Sequence, residues 1–184
     1  MTRGAARRWG VALALLIIGA ASPALPAGPC HGGCATSPAG LALIKRFEGF
    51  RPFPYRDAAG KLTIGWGHLI EPGEPVPLAL AGREAEALFL ADVREHAAHV
   101  DRMVRPPLWP LQFDALVSFA FNLGPGALGG STLLQRVNAG RHAEAAGEFG
   151  RWIYATDPKT KKKRRLPGLE KRRFAEAGLY RRER

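Results

Sequence analysis

From Ser37 onward, apolar residues recur at three- and four-residue intervals along most of the chain and at two-residue intervals in one short stretch. Leu41, Ile44 and Phe47 share one side of a helix. Ser37 suits an N-cap, Pro38 a first turn and Gly49 a stop, so the spacing predicts a helix from Pro38 to Glu48. A turn at Ala58-Ala59-Gly60 leads into Lys61–His68, where Leu62, Ile64 and Trp66 alternate with Thr63, Gly65 and Gly67. That is strand patterning, with one greasy face and one small or polar face. Residues 71–78 hold three prolines and read as a loop. Helices follow over 83–104 (Ala85, Leu88, Phe89 and Val100 inward) and over 110–123, the latter apolar on nearly every side and therefore central. Gly124-Pro125-Gly126 ends the central helix. Another helix runs from Ser131 to Gly140, one spans about 141–153, and a last one covers about 168–180. Lys159–Arg165 reads as a basic loop. A small β-hairpin region between a first helix and a larger helical bundle gives the α+β class.

The first residues have a different character. Arg3, Arg7 and Arg8 precede the uncharged stretch Trp9–Ala21, followed by small residues and Pro23, Pro26 and Pro29. A basic head, a short apolar middle and a small-residue tail are the parts of an export signal. Ser22-Pro23-Ala24 and Ala27 offer cleavage points, neither a strong match. The alternative is an uncleaved tether. Residues 1–27 are thus a signal peptide or a signal anchor, 28–37 a linker, and 38–184 the working domain. Transient membrane contact is expected through residues 9–25, and the working part is expected in the periplasm or cell envelope. In that compartment Cys30 and Cys34 are able to close a small local disulfide. With His31 they do not make a closed metal site, and His96 and His99 read as surface groups, so no metal and no cofactor are expected.

Composition narrows the classes further. With 46% hydrophobic and 23% charged residues the chain is not a disordered one. Its net charge of +11 is uneven. Residues 1–150 carry 14 basic and 12 acidic groups, and residues 151–184 carry 13 and 4. The basic end suggests a polyanionic partner, whether nucleic acid, anionic cell wall or membrane surface.

Three residues stand out chemically. Glu48 closes the first helix, facing the negative end of its dipole and lying between Phe47 and Phe50. Both effects disfavour the charged form, as a general acid requires; Arg46 and Arg51, if turned inward, would oppose them. Asp57 stands at a turn beside Arg56 and Lys61, where a carboxylate stays ionised. Two carboxyls in contrasting surroundings suit glycosidase chemistry. Thr63 lies on the small face of the strand, with Gly65 and Gly67 leaving room for a ligand. Taken singly, each has an ordinary reading: a solvated helix end, a turn aspartate bonding its own backbone, a threonine chosen for β propensity.

Phe47-Glu48-Gly49-Phe50, Tyr55-Arg56-Asp57 and Leu62-Thr63-Ile64-Gly65-Trp66-Gly67-His68 together resemble the active-site region of phage T4-type lysozymes. In that family Glu, Asp and Thr stand nine and six residues apart, as 48, 57 and 63 do here. Gln112–Gly124 with Ser131-Thr132-Leu133-Leu134, and Trp152 with Gly168-Leu169, Arg172-Arg173 and Glu176, resemble two further blocks of these endolysins. The resemblance implies a two-lobed lysozyme-like fold with the cleft between the lobes. It also implies hydrolysis of the β-1,4 bond between N-acetylmuramic acid and N-acetylglucosamine in peptidoglycan strands. Glu48 would protonate the leaving oxygen, Asp57 would assist water or stabilise the oxocarbenium-like state, and Thr63 would position the water. Leu69, Phe121 and Ser131 or Thr132 match cleft-lining positions, and His68 matches a supporting one. By analogy with an inverting member, the carboxyls are expected roughly 6.5–9.5 Å apart. The N-terminal segment resembles export or signal-anchor-release segments of some endolysins. The Pro-rich loop and the basic insert do not look shared.

Two other functions use the same features. A lytic transglycosylase cuts the same bond with mainly one acid; Asp57 and Thr63 at family spacing favour hydrolysis. A nucleic-acid-binding protein would use the Lys159–Arg165 cluster, but the export signal and the lack of a base-reading module argue against nucleic acid as a partner. An anionic envelope polymer is the simpler match for that cluster. A monomer is expected.

Overall fold

The computed structural model describes residues 28–57, 60–157 and 160–182. The segment read as an export signal, two residues of the Ala58-Ala59-Gly60 turn and Lys159 lie outside the described residues. Helix α1 spans Pro38–Glu48, as its capping signals require. Ser37 Oγ accepts from the backbone N–H groups of Ala39 and Gly40 at 3.2 and 3.4 Å. Ser37 also donates to the buried Asp114 through its backbone N–H, at 2.8 Å, and through its hydroxyl. Burial pushes the Asp114 carboxyl above the usual range, against the pull of these donors. Gly40 is needed here, since a Cβ at that position would stand 2.6 Å from Asp114 Cγ.

Strands β1 (Arg51–Arg56), β2 (Leu62–Gly65) and β3 (His68–Leu69) form one antiparallel sheet in that order. Thr63 occupies its middle, opposite Tyr55 on one side and Leu69 on the other. The expected alternation holds: Ile64 is fully buried and packs with Ile70, Leu80 and Ala85, with Leu62 and Trp66 against them. This small core is distinct from the main one, and Trp66 touches both. Helix α2 (Gly82–Met103) spans the two cores, with Ala85 in the small one and Phe89, Val93, Ala97 and Val100 in the large one. A two-lobed α+β fold results.

Helix α3 (Pro110–Leu123) is the axis of the large lobe and is buried from Pro110 to Ala120. Phe113, Leu116 and Phe119 lie fully inside, each stabilising the fold by about 1.5–3 kcal/mol. Around it stand α4 (Pro125–Gly129), α5 (Thr132–Asn138), α6 (His142–Glu148) followed by a 3-10 turn at Phe149–Arg151, and α7 (Pro167–Tyr180).

Several expectations need correction. Gly124-Pro125-Gly126 ends α3 but also starts α4, because Pro125 occupies a first helical turn where its missing N–H costs nothing. The basic run is not all loop: Lys163–Arg165 is strand β5, paired antiparallel with β4 (Tyr154–Thr156). The linker is packed rather than free. Cys30 and Leu108 exchange backbone hydrogen bonds at 2.8 and 3.0 Å. Gly33 N donates to Asp101 Oδ2 at 2.7 Å, and Cys30 and Cys34 do close the small local disulfide expected of them. His96 is not a surface group: it is half-buried, with its ring 4.9 Å from that of Phe121. His99 is half-buried as well and bonds Arg102.

Candidate active site

Glu48 ends α1 where the two lobes meet, with its side chain 19% exposed. The cation against it is neither Arg46 nor Arg51. Arg46 lies over Phe47 and Arg51 over Tyr55. Instead Arg172, from α7, donates through Nη1 to Glu48 Oε1 at 2.5 Å. Arg172 is itself buried and fixed on every side. Its Nε donates to Glu176 Oε1 at 3.1 Å and its Nη2 to the Ser118 carbonyl at 3.0 Å. Glu176, wholly buried, accepts also from Ser118 Oγ at 2.7 Å and from Arg173 Nη2 at 2.9 Å. Burial pushes the Glu176 carboxyl upward against the two guanidiniums, and pushes Arg173 downward. Satisfied on several sides, this buried cluster holds the guanidinium rigidly against Glu48.

The other carboxylate oxygen of Glu48 faces the turn between β2 and β3. A Cβ on Gly67 would stand 3.3 Å from Glu48 Oε2 and 4.0 Å from Phe121 Cε1. Gly67 has φ +87°, a conformation that favours glycine, so backbone shape and close approach both select it. Glu48, Gly67 and Phe121 therefore converge. Phe121 is also in ring contact with Phe89 and His96.

Asp57 sits at the end of β1. Its Oδ1 accepts from Lys61 N at 2.8 Å, while its backbone N–H donates to the Lys61 carbonyl at 2.9 Å. The turn aspartate thus bonds its own turn, which fixes its direction. Thr63 is buried, and its hydroxyl donates to the Lys61 carbonyl at 3.2 Å. Tyr55, paired with Thr63 across the ladder, lies within electrostatic reach of both carboxylates. Burial pushes its hydroxyl upward; Arg51 opposes this, and Glu48 and Asp57 add to it. The sheet so brings Tyr55, Thr63 and Leu69 into one row. Thr132 belongs elsewhere, in an open groove with Ser131, Trp152, Tyr154 and Lys163. Ser131 is committed as the α5 N-cap, accepting from Leu134 N at 3.0 Å.

Two groups at the site, Arg172 and Tyr55, stand in the family-like blocks of the sequence without a role there. Arg172 is 124 positions from Glu48, and a basic stretch gives no hint of which cation turns inward. The place of Tyr55 opposite Thr63 follows only from the register of β1 on β2. His68 proves to be a clasp. Its Nδ1 meets Asp92 Oδ1 at 2.9 Å on α2, and its Nε2 meets Glu74 Oε1 at 3.0 Å in the Pro-rich loop.

A helical lobe and a small three-stranded lobe meeting at Glu48 give the two-lobed lysozyme-like fold. The sequence model of the phage lysozyme family matches residues 45–176, a span that includes Glu48, Asp57, Thr63 and Arg172, and the chain belongs to that family. It is accordingly a glycoside hydrolase. The endolysin of Acyrthosiphon pisum secondary endosymbiont phage 1 is 39% identical over 144 residues, 77% of this chain and 94% of that one. The SAR-endolysin of Escherichia phage Mu is 38% identical over 134 residues, 72% of this chain and 73% of its own length. Among solved structures, the endolysin from Escherichia coli O157:H7 phage FAHEc1 superposes with a TM-score of 0.75 at 36% identity, covering 83% of this chain and 96% of that one.

Proposed function

We propose that this lysozyme is a muramidase cutting the β-1,4 bond between N-acetylmuramic acid and N-acetylglucosamine, with Glu48 as its general acid. The observation that carries the assignment is the division of labour between the two oxygens of Glu48. Oε1 faces a guanidinium, which only donates hydrogen bonds, so a proton on Glu48 resides on Oε2. Oε2 faces the side-chain-free turn at Gly67, the side from which the glycosidic oxygen is proposed to approach. Once the proton has gone to the leaving oxygen, the carboxylate left behind is already paired with Arg172. The charge that develops in the reaction thereby meets a preorganised partner.

Asp57 is the second carboxylate. Held by the Lys61 N–H, it assists attack by water or stabilises the oxocarbenium-like state, and Thr63 positions that water. Leu69 and Phe121 line the sugar site beside these groups, and Thr132 contacts the strand further along. The relative from phage Mu bears the name SAR-endolysin. With the basic-then-apolar character of residues 1–27, it supports a chain exported to the periplasm and first held at the membrane by residues 9–25. Digestion of purified peptidoglycan, followed by mass analysis of the fragments, tests the reading. Reducing muramic ends are expected. Products ending in 1,6-anhydro sugars would make the chain a transglycosylase, and undigested strands would remove the assignment.

A further inference from the structure

Most of the charge on the β4–β5 hairpin lies outside the candidate site, although Lys163 also lines the groove that holds Thr132. Lys161, Lys162, Lys163 and Arg164 are all exposed, and none forms an ion pair among the described residues. Arg165 differs, being paired with Glu170. Lys161 adopts φ 55°, so a cation stands where glycine or asparagine is the easier choice. Side chains alternate across a strand, which places Lys163 on one face of the hairpin and Arg164 on the other.

Position matters as much as charge. α7 runs antiparallel to α3, since Arg173 bonds Asn122 while Glu176 bonds Ser118. The hairpin precedes α7, with Leu166 N donating to the Ile153 carbonyl, so it lies at the C-terminal end of α3. The chain enters at the other end, where Cys30 pairs with Leu108 and Ser37 with Asp114. About 20 Å of helix separates the two poles. If the chain is held at the membrane by residues 9–25, as proposed above, the hairpin points away from the bilayer.

We propose that the hairpin is a docking arm for a phosphate-bearing polymer of the cell envelope. Cations on both faces suit a flexible chain that wraps the hairpin, and not a stiff duplex, which meets one face only. The described tip residues, Asp157 and Thr160 to Lys163, include no apolar side chain to enter a bilayer. Three of the four unpaired cations are lysines, point charges that bind phosphate groups without demanding a fixed geometry. The arm keeps the enzyme on the wall between cuts and takes no part in the bond-breaking step.

The test compares the full chain with a K161Q/K162Q/R164Q variant, which leaves Lys163 of the Thr132 groove in place, in binding to poly(glycerol phosphate) over a range of salt. The variant is expected to bind about tenfold more weakly at low salt, with the slope of log affinity against log salt reduced by about 2–3. Hydrolysis of a short soluble glycan strand is expected to be unchanged. Lys162→Glu alone, on an exposed position, is expected to weaken binding in the same direction and serves if the triple variant folds poorly. Retained affinity in the variants overturns the proposal. So does wild-type binding to polyglutamate, duplex DNA or anionic vesicles as tight as to the phosphate polymer. Binding is read without turnover, so a failed muramidase assignment leaves this result intact, and the reverse.

Discussion

Arg172 Nη1 lies 2.5 Å from Glu48 Oε1, joining the last helix to the end of the first across 124 positions of sequence. The pair ties Glu48, the proposed acid, to the core of the large lobe, because Arg172 is held in turn by Glu176 and Ser118. Arg172→Lys tests this. A lysine keeps the charge but cannot bond Glu48, Glu176 and the Ser118 carbonyl from one planar fork. The expected result is a loss of about 3 kcal/mol in stability and a fall in turnover of about a hundredfold, with KM changing less. Urea unfolding and steady-state kinetics on a soluble glycan strand provide the check.

Gly67 permits the approach of the β2–β3 turn to Glu48. Gly67→Ala adds a Cβ 3.3 Å from Glu48 Oε2 in a strained backbone conformation. Stability is expected to fall by about 1 kcal/mol or somewhat more. Activity is expected to fall further than a change of that size explains, because the methyl fills the approach to the acid. Equal turnover in wild type and variant, measured well below the unfolding temperature, would place the substrate elsewhere.

The His68 clasp makes stability depend on pH. Burial lowers the affinity of His68 for its proton, but Asp92 and Glu74 outweigh it, and the net direction is upward. Asp92 moves upward through burial, with His68 pulling the other way. For a histidine raised in the folded state, the stabilisation is complete below the unfolded value of about 6.5 and fades as pH rises through the folded value. Melting temperature is therefore expected to decline from about pH 6.5 upward. His68→Asn is expected to cost about 1–2 kcal/mol below that pH and to flatten the slope. A slope that persists in the variant would assign the dependence to other groups.

How far this molecule can be read from its residues depends on how local each interaction is. Helix α1 was legible because Ser37, Pro38 and Gly49 mark its ends within a dozen residues, and α3 because its apolar side chains go all the way round. The strand at Leu62–Gly65 showed through its alternation. β1 was harder, since Pro52 and Pro54 interrupt its pattern, and β5 harder still, since three consecutive basic residues carry no alternation at all. The family resemblance is borne out, and with it the two-lobed fold. Within the candidate site, Glu48, Asp57 and Thr63 stand out through their chemical surroundings and the gaps they share with the family, whereas Arg172 and Tyr55 reach the site through tertiary packing and strand register, which no short window of sequence contains.

The claim on which the mechanism rests is that Glu48 delivers the proton. The most direct measurement is the rate of peptidoglycan digestion by Glu48→Gln, taken with its melting temperature. Glutamine keeps the shape and can still meet Arg172 through its amide oxygen, but has no proton to give. Digestion is expected to fall by about 10²–10⁴-fold while the fold survives. A well-folded Glu48→Gln enzyme that digests the wall at the wild-type rate would contradict the account.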